Sequence, residues 1–563
     1  MKTTPFLAFL AFVASVAPLC ALTQPVRTHG GLVSGVPGKD PAILSFKGIP
    51  FAAPPVGDLR WRAPRPAPDW QGVKLAGKFS ASCMQNISTR ESQPWTNEFM
   101  THNEVSEDCL YLNVWTGAKS ASEKRPVYMY IYGGGFTGGS AAVPIYDGEG
   151  LASKGLVVVT INYRLGILGW FAHPELSKES SNNVSGNYGL LDQIAALKWI
   201  HDNIAAFGGD SNRVTIAGQS AGSIAVHDLV ASPLARGLFQ RAIAESGGST
   251  VGRAGIGNGG AAPSLATAEA GGVRFAESKG AKSISELRAM SWQQLTAPQP
   301  GGGRGNADPS AARGATAASG GGRAAAPPGG RGGGAAGSPI IDGYVLPAAP
   351  NDVIAQGKYN DVPFLTGMNT GELAGLVASR TPITLEGFQN QAKQRYGEDA
   401  DKFLALYPAS TDAEAVAANT QANLDRTRVA LNLWAAMRAK TSRAKTFDYL
   451  FDHALPGPES SWLGAFHTGE VPYVMNTLYT SPRPFVDADR KNCRHDVLLL
   501  GELRHQRRSE WKGIAGLAVL QWQGRHYGVG RQERSHSGCG KCRQTGVLRS
   551  VFSSSLNISV SQR

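Results

Sequence analysis

Val214-Thr215-Ile216-Ala217-Gly218-Gln219-Ser220-Ala221-Gly222 is a short β-favouring run that ends in two glycines flanking a serine, and Ala221 to Val226 continues it as a helix-compatible run. Glycine on both sides permits a strained strand-to-helix turn, which lifts the Ser220 hydroxyl out of a sheet. The start of the helix sets backbone N–H groups beside that hydroxyl. A lone Gly-x-Ser-x-Gly is a weak signal, because glycine and serine are common; the strand before it and the helix after it give it weight. The stretch therefore predicts a strand, a tight turn bearing a candidate nucleophile, and a helix.

Working outward, the neighbouring runs fit the same architecture. Val127 to Tyr132 is β-rich and enters Gly133-Gly134-Gly135-Phe136. Val157 to Asn162 reads as a buried strand, and Thr446 to Phe451 as a later one. Asp192 to Ile204 carries Ile194, Leu197, Ile200 and Ile204 at helical spacing. Residues 22–75 are rich in proline and aromatic residues and read as short strands and turns. Strands alternating with helices predict an α/β fold. Pro298 to Gly337 is mostly Gly, Ala, Pro and Arg, with almost no residue able to anchor a core, so it reads as a disordered insertion.

A serine nucleophile needs a base and an acid to orient that base. Glu372, in Gly367-Met368-Asn369-Thr370-Gly371-Glu372, is the candidate acid, with Asp342 and Asp361 as rivals by type. His467, in Gly464-Ala465-Phe466-His467-Thr468-Gly469-Glu470, is the candidate base, with His453 as its rival. The glycines at 133–135 let backbone N–H groups approach a developing oxyanion, together with the Ala221 N–H, at about 2.7–4 kcal/mol per donor. Residue order alone leaves these assignments open.

The chain has 563 residues, 42% of them hydrophobic. Length alone would allow about three or four domains, but Ser220 and His467 are so far apart that one catalytic unit must span most of the chain. The net charge of +12 is uneven: residues 492–563 hold 12 of the 55 Lys+Arg and only 4 of the 43 Asp+Glu. The body is mildly basic, which gives no case for a nucleic-acid partner. Residues 1–21 read as an export signal, with Lys2 at the start, an apolar run from Phe6 to Leu19 too short to span a bilayer, and cleavage after Ala21. The mature chain is expected to be secreted or periplasmic, without a membrane span. Of six cysteines, Cys83 and Cys109 are the only pair between the signal and the tail; in an oxidising compartment they close one loop, worth roughly 3 kcal/mol.

The order Ser, Glu, His is that of the α/β-hydrolases, and longer motifs sharpen the match. Glu107-Asp108-Cys109-Leu110-Tyr111-Leu112-Asn113-Val114, Phe207-Gly208-Gly209-Asp210 through Gly222, Asn162-Tyr163-Arg164 and Asn187 to Gln193 resemble the type-B carboxylesterases, the cholinesterase-like family, over roughly residues 28–490. The resemblance implies a single α/β-hydrolase domain over residues 22–491, with a mixed, mostly parallel sheet flanked by helices. It implies Ser220 as nucleophile, Glu372 as acid and His467 as base, with Gly134, Gly135 and Ala221 as oxyanion donors and Cys83 as partner of Cys109. It also implies hydrolysis of a small carboxylic ester through an acyl-enzyme, without metal or organic cofactor. Acyl and alcohol specificity and oligomeric state are not legible. One departure is Gln219, where many members carry glutamate; another is Tyr132, where some carry histidine.

After Lys491 the resemblance ends abruptly. The family continues with a segment similar to WANFATNGDPN…LPAWP, whereas this chain turns to an Arg-, Gln- and Gly-rich run. Back-translated with permitted codons and read with one base removed, Asn492 to Gly524 becomes IADTMSSYWAN followed by FATNGDPNGKGLPAWPSYNG. Residues 492–563 are therefore expected to be a frame-shifted, poorly ordered tail. Cys539-Gly540-Lys541-Cys542 then loses its look of half a zinc site, since no second pair follows. Two alternatives to an active esterase are a catalytically inactive, cholinesterase-like binding protein and a non-functional product of a damaged gene.

Overall fold

The computed structural model describes residues 22–87, 94–248, 262–297, 337–372, 382–458, 460–491 and 520–521. The signal segment, all of the 298–337 insertion but Gly337, and all of the tail but Leu520–Gln521 lie outside the described residues.

A ten-stranded sheet organises the chain. In chain order its strands are β1 (Val36–Pro37), β2 (Leu44–Pro50), β3 (Tyr111–Thr116), β4 (Arg125–Ile131), β5 (Val157–Ile161), β6 (Gly209–Gln219), β7 (Arg241–Glu245), β8 (Phe364–Asn369), β9 (Thr446–Phe451) and β10 (Leu520–Gln521). Their order across the sheet is β10-β9-β8-β7-β6-β4-β5-β3-β2-β1. Strands β9, β8, β7, β6, β4 and β5 run parallel to one another; β1 to β3 on one side and β10 on the other are antiparallel additions. This is an α/β-hydrolase fold: a mixed, mostly parallel sheet flanked by helices.

The central strands are apolar runs because both faces are covered. Every residue of β5 is buried, as is β4 from Val127 onward, the pattern of strands with helices on each side. The helix α1 (Tyr188–Asn203) begins four residues before the expected Asp192, and Ile204 belongs to a 3₁₀ turn that follows it. The helix α2 (Ala221–Ala231) contributes Ala225, Val226, Leu229 and Val230 to the same core. β6 is longer than the apolar run Val214–Ala217, because its polar start, Gly209, pairs with Arg125 across a register shift. Three further helices, α3 (Leu385–Tyr396), α4 (Ala400–Leu406) and α5 (Asp412–Ala439), enclose a small separate core of Phe388, Tyr396, Phe403 and Ala415. None of the described helices is long and apolar enough to cross a membrane.

Parallel strands place the ends that carry β6, β8 and β9 on one edge of the sheet. That edge is where Ser220, Glu372 and the loop of His467 emerge.

Candidate active site

Ser220 sits between β6 and α2 with φ 56° and ψ −119°, a conformation costly for a residue with a side chain and held only by surrounding structure. Two bonds brace it: Ser220 N–H donates to the Glu245 carbonyl at 2.9 Å, and Ile224 N–H to the Ser220 carbonyl at 3.1 Å. The flanking glycines are required by contact. A Cβ on Gly222 would stand 2.0 Å from the Ile131 carbonyl oxygen, and one on Gly218 2.5 Å from that of Gly222. Two glycines thus let helix, strand and turn close on one another.

The glycine loop after β4 lies against this turn. A Cβ on Gly133 would be 2.9 Å from the Ser220 Cβ. Gly134 and Gly135 have φ of +101° and +64° and are exposed; among the described residues their N–H groups have no acceptor. The loop is fastened on both sides. Gly166 N–H and the Trp170 indole donate to the Phe136 carbonyl at 2.8 and 3.1 Å. Gln85 grips Gly139 twice, accepting its N–H at 2.8 Å and donating to its carbonyl at 2.7 Å. Gln85 in turn follows Cys83, which forms a disulfide with Cys109. Nothing in the sequence marked Gln85; only a residue-specific grip across 54 positions reveals it.

Glu372 and His467 meet behind the turn. His467 Nδ1 is 2.5 Å from Glu372 Oε2, while Glu372 Oε1 accepts the Asn369 N–H at 2.8 Å. Both side chains are buried. Gly371 N–H donates to the Ala465 carbonyl at 2.9 Å, joining the two loops through their backbones. Asn369 Nδ2 donates to the Phe466 carbonyl and to Glu470 Oε2, and Ser246 Oγ donates to Glu470 Oε1. Asn369 and Glu470 stood in the quoted stretches and were missed as contributors, as was Ser246. Their role depends on partners about 100 to 224 residues away.

Electrostatics follow from this burial. Desolvation lowers the His467 pKa, but the charge and hydrogen bond of Glu372, with Glu470 beyond, outweigh it and leave the imidazole more basic than an ordinary histidine. Burial, then the Glu372 charge, pushes Glu470 up to about 7, against the pull of the Asn369 hydrogen bond and His467. The histidine is close to Gln219, whose amide nitrogen is 3.3 Å from Nε2. No hydrogen bond joins the Ser220 hydroxyl to His467 among the described residues; such contacts commonly tighten only once substrate is bound.

The rival groups are engaged elsewhere. His453 Nε2 lies 2.6 Å from Asp489. Asp361 holds Arg438 and the Arg443 N–H. Asp342 accepts the N–H groups of Tyr344, Val345 and Leu346 and braces a turn. Among the described residues no group of three or more His, Cys, Asp or Glu is placed to hold a metal ion.

Residues 23–497 match the Carboxylesterase family. The chain belongs to that family. It is a carboxylic-ester hydrolase. This carboxylesterase is 38% identical to the fumonisin B1 esterase of Sphingopyxis macrogoltabida over 453 residues, which cover 80% of this chain and 74% of the relative. It is 30% identical to human cocaine esterase over 487 residues, 81% of this chain and 78% of that one. With mouse carboxylesterase 1E it shares 35% identity over 343 residues, 60% and 56% of the two chains.

Proposed function

We propose that this carboxylesterase hydrolyses esters through a covalent acyl-enzyme on Ser220. His467 takes the Ser220 proton as the hydroxyl attacks the ester carbonyl, and gives it to the departing alcohol. Glu372 holds the imidazole with Nδ1–H inward and offsets the positive charge that forms. Gly134, Gly135 and Ala221 offer N–H groups to the oxyanion. Water then repeats the sequence on the acyl-serine. The observation that carries this reading is the 2.5 Å contact between Glu372 and His467, 95 residues apart, beside a serine held at positive φ. Turnover of p-nitrophenyl acetate, a burst of p-nitrophenol matching one active site, and covalent modification by an organophosphate are expected. Ser220→Ala should abolish all three; a variant that retains turnover defeats the reading, and a wild-type protein without turnover favours an inactive binding protein.

The protein is exported on this reading, with residues 1–21 removed. The apolar run from Phe6 to Leu19 and the Cys83–Cys109 disulfide support it. The mature N-terminus should begin at Leu22. The tail after Lys491 is a shifted reading frame, and the family match ending at residue 497 supports that. A frame-restored chain should melt at a higher temperature, and identical melts would defeat the reading; resequencing the gene at the Lys491 codon separates an error in the recorded sequence, if the extra base is absent, from a truly altered protein, if it is present.

A further inference from the structure

The amide nitrogen of Gln219 lies 3.3 Å from Nε2 and 3.5 Å from Nδ1 of His467. A point in the imidazole plane at those distances from both nitrogens would fall against a ring carbon, inside van der Waals contact. The carboxamide therefore rests over the face of the ring, out of line with the in-plane Nε2 lone pair. The ring edge is left to other partners, with Nδ1 on Glu372. Gln219 is 1% exposed. Gly133 makes room for it, since a Cβ there would be 2.8 Å from the Gln219 carbonyl oxygen and 3.1 Å from its Oε1. The side chain just before the nucleophile is thus wedged between the glycine loop and the imidazole.

We propose that Gln219 is a positioning residue for ester hydrolysis: its carboxamide caps the imidazole face, keeps the ring edge-on to Glu372 and the Ser220 hydroxyl, and adds no charge beside the base. This rests on the reading of Ser220, Glu372 and His467 given above. Carboxyl groups already face the ring: Glu372 at its edge, from the loop after β8, and Glu470, itself pushed up to about 7, from its own loop. Glu245 at the end of β7 acts with Glu470 on the buried hydroxyls of Tyr130 and Tyr449 behind them. A further carboxylate over the ring would stabilise imidazolium, which cannot accept the Ser220 proton. A neutral cap holds the ring in place and keeps its proton-accepting form available to lower pH.

Two variants test this by pH profile. Gln219→Glu, nearly isosteric, sets a carboxylate over the ring; the acidic limb of kcat/KM should move up by about one pH unit or more, which is about a tenfold loss below the limb. Gln219→Met keeps the length and removes the amide; kcat should fall about tenfold or more with KM unchanged, and the limb should stay where it is in the wild type. An unmoved limb in Gln219→Glu, or full kcat in Gln219→Met, overturns the proposal. Circular dichroism checks folding, and Gln219→Leu carries the same expectation if Gln219→Met does not fold. Ser220→Ala is run alongside. If it stays active, the triad reading itself fails; if it is inactive while the Gln219 variants behave as wild type, only this inference fails.

Discussion

The proposed nucleophile and its proposed base are held in opposite ways. Ser220 is positioned by its immediate neighbours: a strand before it, a helix after it, and two glycines that let backbones close to contact distance. His467 is positioned by distant groups. Glu372 sits at its ring edge, Asn369 and Glu470 hold its loop, and Ser246 braces Glu470. A local turn stores its geometry in the chain itself, whereas the histidine loop leans on a side-chain network beside the backbone bond from Gly371 to Ala465. The first should fail through backbone clash, and the second through lost hydrogen bonds and charge.

The largest effect that would sharpen this contrast is Glu372→Gln. The amide cannot keep the imidazole in the useful tautomer, so kcat should fall roughly 10⁴-fold with the fold intact. A thermal melt unchanged from wild type together with that loss would confirm that the network serves chemistry; a loss below about tenfold would break the contrast. Gly222→Ala should do the reverse. Its Cβ would meet the Ile131 carbonyl at 2.0 Å, so stability should drop by about 3 kcal/mol in denaturant melts. A melt like that of wild type would mean that the turn can relax.

The disulfide belongs to both regions. It supports Gln85, which grips the glycine loop, and closes the segment in which Glu98 holds Ser481 and Arg483, downstream of His467. Replacing Cys83 and Cys109 together by serine should cost about 3 kcal/mol of stability; a variant that melts like wild type would show that hydrogen bonds alone suffice. The smallest effect concerns Glu470. In the folded protein it titrates at about 7, against about 4.3 unfolded. Between these values the folded state binds the extra proton, so the group favours folding at low pH and that contribution is lost as pH rises through 7, by at most about 1.4 kcal/mol per unit. Glu470→Gln should flatten that slope in melts taken from pH 4.5 to 7.5; an unchanged slope would assign it to other groups.

Legibility in the sequence tracks these two modes of support. The run Val157–Ile161 was readable because a strand buried on both faces must be apolar, and Thr446–Phe451, of which only Phe447 and Phe451 are buried, because its threonine, tyrosine and phenylalanines favour β structure. The Ser220 turn was readable because its requirements lie within five residues. Choosing His467 over His453 was not possible from order alone. The structure separates them by partner, Glu372 for one and Asp489 for the other. Gln85, Ser246 and Asn369 left no periodicity or motif, since a single polar side chain gripping a remote backbone has none.

The chain by itself determined the α/β alternation, the glycine-flanked serine and the glycine loop, because backbone conformation and close packing constrain residue type locally. The tertiary structure alone decided which acid meets which histidine, what anchors the glycine loop, and that Gln219 lies across the face of the imidazole. Those are distances between residues far apart in the chain or turned toward one another by folding, and amino-acid order carries no record of distance.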